Sequence, residues 1–335
     1  MRYCLLLTYR QTTFIINVVF KTTLYVFENF IHTEDIGEYL MSDYILTCDT
    51  AVDLDREYLE ERDIPFISFH YMIDGVDYED DLGRTVTYEE FYKKLDAGAL
   101  PTTSQINIAD SIDFFEPFLK EGKDIIHLAF SSGLSGTYNC AKNAADELKE
   151  KYPDRKIIVI DSLAASSGHG LLLDAMYVLK KNGASIEELE EFALKERLHV
   201  QHWFYTTDLT HLKRGGRVSP AACAIGNFLN LCPLMNVDFE GKLAVRGKIK
   251  GKKKAAKETV NKMLELCEGG SNYNKKVFIS NSGCQEDADY LASLIEETFP
   301  NIDGGVRQYN IGTIIGSHTG RGTVALFFFG SERTD

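Results

Sequence analysis

From Met41 onward, short apolar runs alternate with amphipathic stretches, and this alternation leaves few folds open to the chain. DIIHLAF (residues 124–130) and KIIVIDS (156–162) are brief, rich in branched residues and apolar at consecutive positions rather than at every second one. Such runs fit strands buried on both faces. AKNAADELKEKY lies between them, and SGHGLLLDAMYVLKKNG and SIEELEEFALKERL follow, all with helical spacing. Parallel neighbours need a crossover of that kind, because a tight turn can join only antiparallel strands. The expected class is therefore α/β, with an N-terminal, mostly parallel sheet wrapped by helices.

The flanking segments fit the same scheme. YILTCDT reads as a strand, and DLDREYLEERD as a helix with Asp53 as its N-cap. PFISFHYMI is β-rich, TYEEFYKKLDAG is a helix capped by Thr87, and NIADSIDFFEPFLKEG is a helix opening at Asn107. After about residue 200 the texture changes. QHWFYTTDL, KKVFISNS, GGVRQYNIG and TVALFFF read as strands, and PLMNVDFEGKLAVRGKI as a hairpin turning at Glu240-Gly241. GKKKAAKETVNKMLELC and DADYLASLIEETF read as helices, and LTHLKRGGRVSP as a turn-rich connector. Two α/β domains are expected, residues 41–202 and a smaller one over 203–331. Residues 1–40 read as an extension, disordered or lying upstream of a natural start at Met41. Arg10 and Lys21 interrupt their apolar character, which leaves no stretch long enough to span a bilayer.

The net charge of −14 argues against nucleic acid as a partner, since binding it requires neutralised phosphates. Seven cysteines with no CxxC pair suggest neither a disulfide framework nor a zinc site, but free thiols in a reducing cytoplasm. No metal-ligand cluster stands out.

Chemistry concentrates in four segments. SSGLSGT (131–137) joins a strand to a helix at the carboxyl end of the expected parallel sheet, where open α/β sheets bind ligands. It lacks the GK[ST] of a phosphate-binding P-loop and misses the G-x-S-x-G nucleophile spacing by one residue. Gripping an anion with hydroxyls and backbone N–H groups is its best chemical reading. PTTSQ (101–105) reads as a loop offering hydroxyls and an amide to one carboxylate or phosphate, and alternatively as a cap for the helix starting near Asn107. IGSHTGRGT (315–323) places His318 in a glycine-rich loop. KRGGR (213–217) and GKIKGKKK (247–254, beside Arg246) are basic islands suited to a phosphate-bearing or acidic partner.

In this order PTTSQ, SSGLSGTY, a strand ending IDS, and LKRGGRVSPAACAIGNFLNLCPLMNVDFEGKLAVRGKIKGKKKA resemble the DegV family, whose members bind long-chain fatty acids. The resemblance covers about Ser42 to Phe329. It implies two DegV-like α/β domains with the acyl chain buried between and within them. It also implies a carboxylate held by Thr102 or Thr103, by Ser132 and by His318. In some bacteria such proteins are the lipid-presenting subunit of fatty-acid kinase. The resemblance then implies no cofactor on this chain, ATP and magnesium on a separate kinase subunit, an acyl phosphate destined for phospholipid synthesis, and Arg217 and Arg246 facing that kinase. A cytoplasmic carrier with transient membrane contact and a monomeric state fit this expectation. The alternatives are a stand-alone lipid carrier or sensor, and an acyl hydrolase. The hydrolase would use Ser132 or Ser135 as nucleophile and His318 as base, oriented by Asp49 or Asp208.

Overall fold

The first strand, β1 (Tyr44–Asp49), is flanked by parallel partners on both sides. The structure, a computed structural model, describes residues 44–218 and 231–334. The expected extension over 1–40 lies outside the described residues, as does 219–230 within the long family-like segment. Helix α1 (Arg56–Glu60) leads to β2 (Phe66–Ile67). A small antiparallel sheet of β3 (His70–Ile73), β4 (Val76–Glu79) and β5 (Thr102–Ser104) follows, in the order β4-β3-β5, with α2 (Tyr88–Asp96) between β4 and β5. Then come α3 (Ile108–Lys120), β6 (Asp124–Ala129), α4 (Thr137–Lys151), β7 (Ile157–Asp161), α5 (Ser167–Lys181) and α6 (Ile186–Glu196). The four-stranded sheet has the order β2-β1-β6-β7 and is parallel throughout, as the consecutive apolar runs require.

The second sheet begins with β8 (Val200–Tyr205), so residue 202 lies inside a strand. Helix α7 (Thr210–Arg214) follows, and the hairpin of β9 (Leu231–Val237) and β10 (Leu243–Lys250) turns at Glu240-Gly241. Then come α8 (Lys252–Leu266), β11 (Val277–Asn281), α9 (Gln285–Thr298), β12 (Val306–Asn310), α10 (Thr313–Thr319) and β13 (Val324–Phe329). The order is β10-β9-β8-β13-β11-β12, antiparallel except for β11 and β12. Helix α5 is buried on several faces and packs against β8, β11 and β13. One apolar cluster therefore joins Leu46, Leu128 and Ile160 of the first sheet to Phe204, Phe278 and Ala325 of the second.

Three local expectations are corrected. Asp53 is not an N-cap: α1 starts later, with Asp55 at that position. Asp53 is instead buried with φ of 45°. Its carboxylate accepts from the Gly312 N–H (2.9 Å) and the Ser166 hydroxyl, and its carbonyl accepts from Ser167 Oγ (2.8 Å). PTTSQ is not a bare loop, because Thr102–Ser104 pairs with β3. The connector at LTHLKRGGRVSP and the glycine-rich IGSHTGRGT each contain a short helix, α7 and α10. Glycines at both ends of α10 hid its helical character.

Asp49 makes a second buried junction, accepting from the N–H groups of Ala51 (3.0 Å) and Phe130 (2.7 Å). Burial raises its carboxyl to about 7, against the opposing pull of those two donors, and raises buried Asp80 to about 6. Both folded values lie above the unfolded value of roughly 3.9, so the folded chain binds extra protons between about pH 4 and 7. Stability from these two groups is thus greatest on the acid side of this window. It declines as pH rises through their folded values and levels off above them. Burial pushes His127 and His169 down to about 3 and about 4, and these imidazoles favour the folded state more as pH rises, so urea unfolding reads the share of the acids by difference. The stability of the wild type relative to Asp49→Asn, which cannot titrate, should fall as pH rises from about 4 to 7; a pH-independent difference would refute the assignment.

Candidate functional site

A cavity of about 420 Å³ lies among the small sheet, the β6–α4 turn, the start of α5, the second sheet and α10. That size falls within the roughly 300–1,000 Å³ typical of small-molecule sites. Strand periodicity builds its apolar wall. Phe204 of β8 and Ala325 and Phe327 of β13 share one face, and Val237 and Leu243 flank the hairpin turn. Phe69, Phe130, Ile311, Ile314 and Ile315 close the other sides.

A polar group lines the cavity beside this wall. Thr103 is the half-buried member of β5, between exposed Thr102 and exposed Ser104, as a period of two demands. Its Oγ1 lies 2.8 Å from His318 Nε2, in the last turn of α10. The imidazole lies over Gly215, where any Cβ would overlap Nδ1. Arg217 also lines the cavity, its Nε donating to Leu134 O (3.3 Å) and its Nη1 to Gly215 O. Arg214 donates to Pro101 O (3.0 Å) and Ser317 O (3.4 Å), joining the approach to β5 to α10. Burial, then the charges of Arg217 and Arg214, push His318 down to about 4. In the unliganded site His318 is therefore a neutral hydrogen-bonding group near pH 7, and the arginines supply the positive charge.

The SSGLSGT turn divides its labour. Ser131 Oγ donates to Gly241 O (2.8 Å) and accepts from Gly133 N–H (3.1 Å). A Cβ on Gly133 would stand 2.5 Å from Glu240 O, so this turn meets the β9–β10 hairpin main chain to main chain. Ser132 is tied through its N–H to Asp161 Oδ1 (3.1 Å) and is not among the lining residues. Backbone bonds from Leu134 and Ser135 N–H to Ser131 O (both 3.1 Å) curl the turn, and Ser135 and Gly136 reach the cavity. Ser135 Oγ lies 2.9 Å from Thr137 Oγ1 and accepts from Thr137 N–H (3.2 Å). Gln105 completes this side of the lining, its Nε2 donating to Cys140 Sγ (3.4 Å).

The structure thus brings Thr103, His318 and Arg217 together on one cavity and leaves Thr102 and Ser132 off its lining. Arg246 is exposed on β10, its Nε donating to Asn236 Oδ1 (2.8 Å), with exposed Lys248 and Lys250 alternating beyond it. The hydrolase arrangement is not formed. His318 meets Thr103 rather than a serine, Asp49 is committed to two backbone donors, and Asp208 accepts from Thr210. Among the described residues no cluster suits a metal ion, and no helix is long and apolar enough to cross a membrane. The cysteines at 48, 140, 232, 267 and 284 are free. The Gln105 amide of PTTSQ does reach the lining, whereas sequence reasoning missed Ser166, His202 and Thr323 there. For His202 the signal was available, since it lies two residues from Phe204 and so on the same strand face.

The α/β framework thus presents an apolar cavity with a hydroxyl, an imidazole and a guanidinium on its lining. The chain belongs to the DegV family: the family model described as "Uncharacterised protein, DegV family" matches residues 45–331. A DegV domain-containing protein of Clostridium perfringens is 40% identical over 294 residues, spanning 88% of this chain and 99% of its own. Among solved structures, a DegV family protein of Thermus thermophilus, described as fatty-acid binding, superposes with a TM-score of 0.77 at 27% identity, covering 86% of this chain and 99% of its own. The fatty acid kinase B3 protein of Streptococcus pneumoniae, loaded with linoleic acid, shares the fold with a TM-score of 0.73 at 20% identity, covering 86% and 99%.

The neutrality of His318 is directly measurable. In delipidated protein its imidazole NMR signals should be flat from about pH 5.5 to 8, where an ordinary histidine titrates near 6.5. A midpoint near that ordinary value would overturn the account of its surroundings.

Proposed function

We propose that the protein binds a long-chain fatty acid, with the hydrocarbon in the cavity and the carboxylate at Thr103 and His318, assisted by Ser135 and Arg217. The observation that carries this reading is the Thr103–His318 pair on the lining of an apolar cavity of lipid-accommodating size. Each buried methylene contributes ~0.8 kcal/mol, so about fifteen give roughly 12 kcal/mol before association costs. A charged hydrogen bond adds only about 1.5–3 kcal/mol net. The tail therefore supplies affinity, and the polar group supplies position. A bound carboxylate also favours protonated His318, so binding takes up a proton as pH falls toward the range where the free imidazole titrates.

The family motifs, together with the streptococcal kinase protein that shares the fold, support a further step. We propose that the acid is presented to a separate ATP-binding kinase subunit. A carboxylate oxygen attacks the γ-phosphorus of ATP, the bond to ADP breaks, and an acyl phosphate forms that feeds phospholipid synthesis. The nucleophile belongs to the lipid, and positioning with charge stabilisation is what such a transfer chiefly needs. Arg217, beside the carboxylate position, and exposed Arg246 are proposed to face the kinase and its phosphates. ATP and magnesium sit on that subunit, and the carrier works in the cytoplasm.

Denaturing mass spectrometry of co-purified lipid should find fatty acid at near-stoichiometric amount. Thr103→Val should weaken stearate binding by roughly tenfold or more, as loss of a charged hydrogen bond implies. Thr102→Ala should leave it within about twofold, as expected for an outward-facing surface residue. Equal effects of the two substitutions would refute the site. Retained lipid with no acyl phosphate on adding the kinase subunit and ATP would leave a stand-alone carrier.

A further inference from the structure

The cavity wall is not uniformly apolar away from the Thr103–His318 pair. Thr323, immediately before β13, is 1% exposed, and its Oγ1 is buried with no hydrogen-bond partner among the described residues. Its backbone is fully engaged, the N–H donating to Ser282 Oγ (2.8 Å) and the carbonyl accepting from Ser282 N–H (3.0 Å). A buried hydroxyl left unpaired is uncommon and unfavourable. Ser166, also on the lining, carries a second anomaly. Its backbone lies at φ 55° and ψ −150°, a region that glycine enters readily and serine does not. Its hydroxyl donates to Asp53 and lies 3.0 Å from Ser280 Oγ.

The strand register places these groups along one wall. Ser280 of β11 is opposite Ala325 of β13, and Thr323 precedes Ala325 by two residues, on the same face. One strand repeat of roughly 6–7 Å separates them. An alkyl chain running along this wall would bury Thr323 against methylenes and leave its hydroxyl unpaired. A chain carrying oxygen at that level would pair it.

We propose that the cavity accepts an acyl chain bearing a hydroxyl along its length, with Thr323 receiving that oxygen. This rests on the fatty-acid reading above and names its substrate class. Thr323 donates to the ligand oxygen, while the Ser166 hydroxyl is committed to Asp53.

Titration calorimetry on the delipidated full chain, with stearate and a panel of monohydroxystearates that moves the hydroxyl along the tail, tests the proposal. One isomer should bind about five- to tenfold tighter than stearate, as one well-placed hydrogen bond allows. Thr323→Val should bring that ratio to about one, and Thr323→Ser should restore it. If stearate binds but no isomer exceeds it, the polar station holds water only and the proposal is overturned. A preference that survives Thr323→Val overturns it equally. If stearate itself fails to bind, the fatty-acid reading falls, and this inference with it.

Discussion

The Asp53 carboxylate holds the cavity together. It is buried, sits on a left-handed residue, and draws the start of α10 and the start of α5 onto the end of β1 through Gly312 N–H and Ser166. Burial drives its carboxyl well above the ordinary range, so the donors around it only partly offset the loss of solvation. Asp49, four residues earlier, does the same for Phe130 and hence for the turn that follows β6. Both acids lie at the carboxyl end of β1, the level at which a parallel sheet presents its loops to ligands. The first sheet thus supplies fixed bolts, and the segments that carry Thr103, Ser135 and His318 are arranged around them.

The electrostatics follow from the same economy of solvent. A histidine between buried walls and two guanidinium groups stays neutral, so the empty site holds its positive charge on Arg214 and Arg217, both of which donate to backbone carbonyls. An anion entering beside them meets donors already oriented, and the imidazole changes state only in response. In a chain of net charge −14, these arginines and the lysines of β10 and α8 are local concentrations of positive charge.

Much of this was legible in the residues, and the failures share a cause. The parallel sheet could be read because strands buried on both faces leave consecutive apolar runs. The helix starts at Thr87 and Asn107 could be read because a capping box is a local pattern. Asp53 could not, because an aspartate ahead of a helix ordinarily caps it, and only the fold shows it buried among distant partners. Period-two alternation says that Thr102 and Thr103 face opposite ways, but not which one faces inward; pairing with β3 decides that. Within SSGLSGT the hydroxyls are chemically alike, and the curl of the turn sends Ser135 rather than Ser132 to the cavity. His318 read as a loop residue because a seven-residue helix between glycines has no room for a period. Thr323 gave no signal, since its anomaly is an absent partner.

Where the serine-rich turn abuts the hairpin, Gly133 rests on Glu240 O, and the Ser131 hydroxyl bonds Gly241 O where Gly241 leaves no room for a methyl group. A seam of two glycines locked by one serine hydroxyl has one fit and leaves little to enlarge or trim. Adaptation to a longer, bent or bulkier guest must therefore be written elsewhere, in the interchangeable upholstery of Phe204, Val237, Leu243 and Ala325, while the join itself behaves as a fixed gauge.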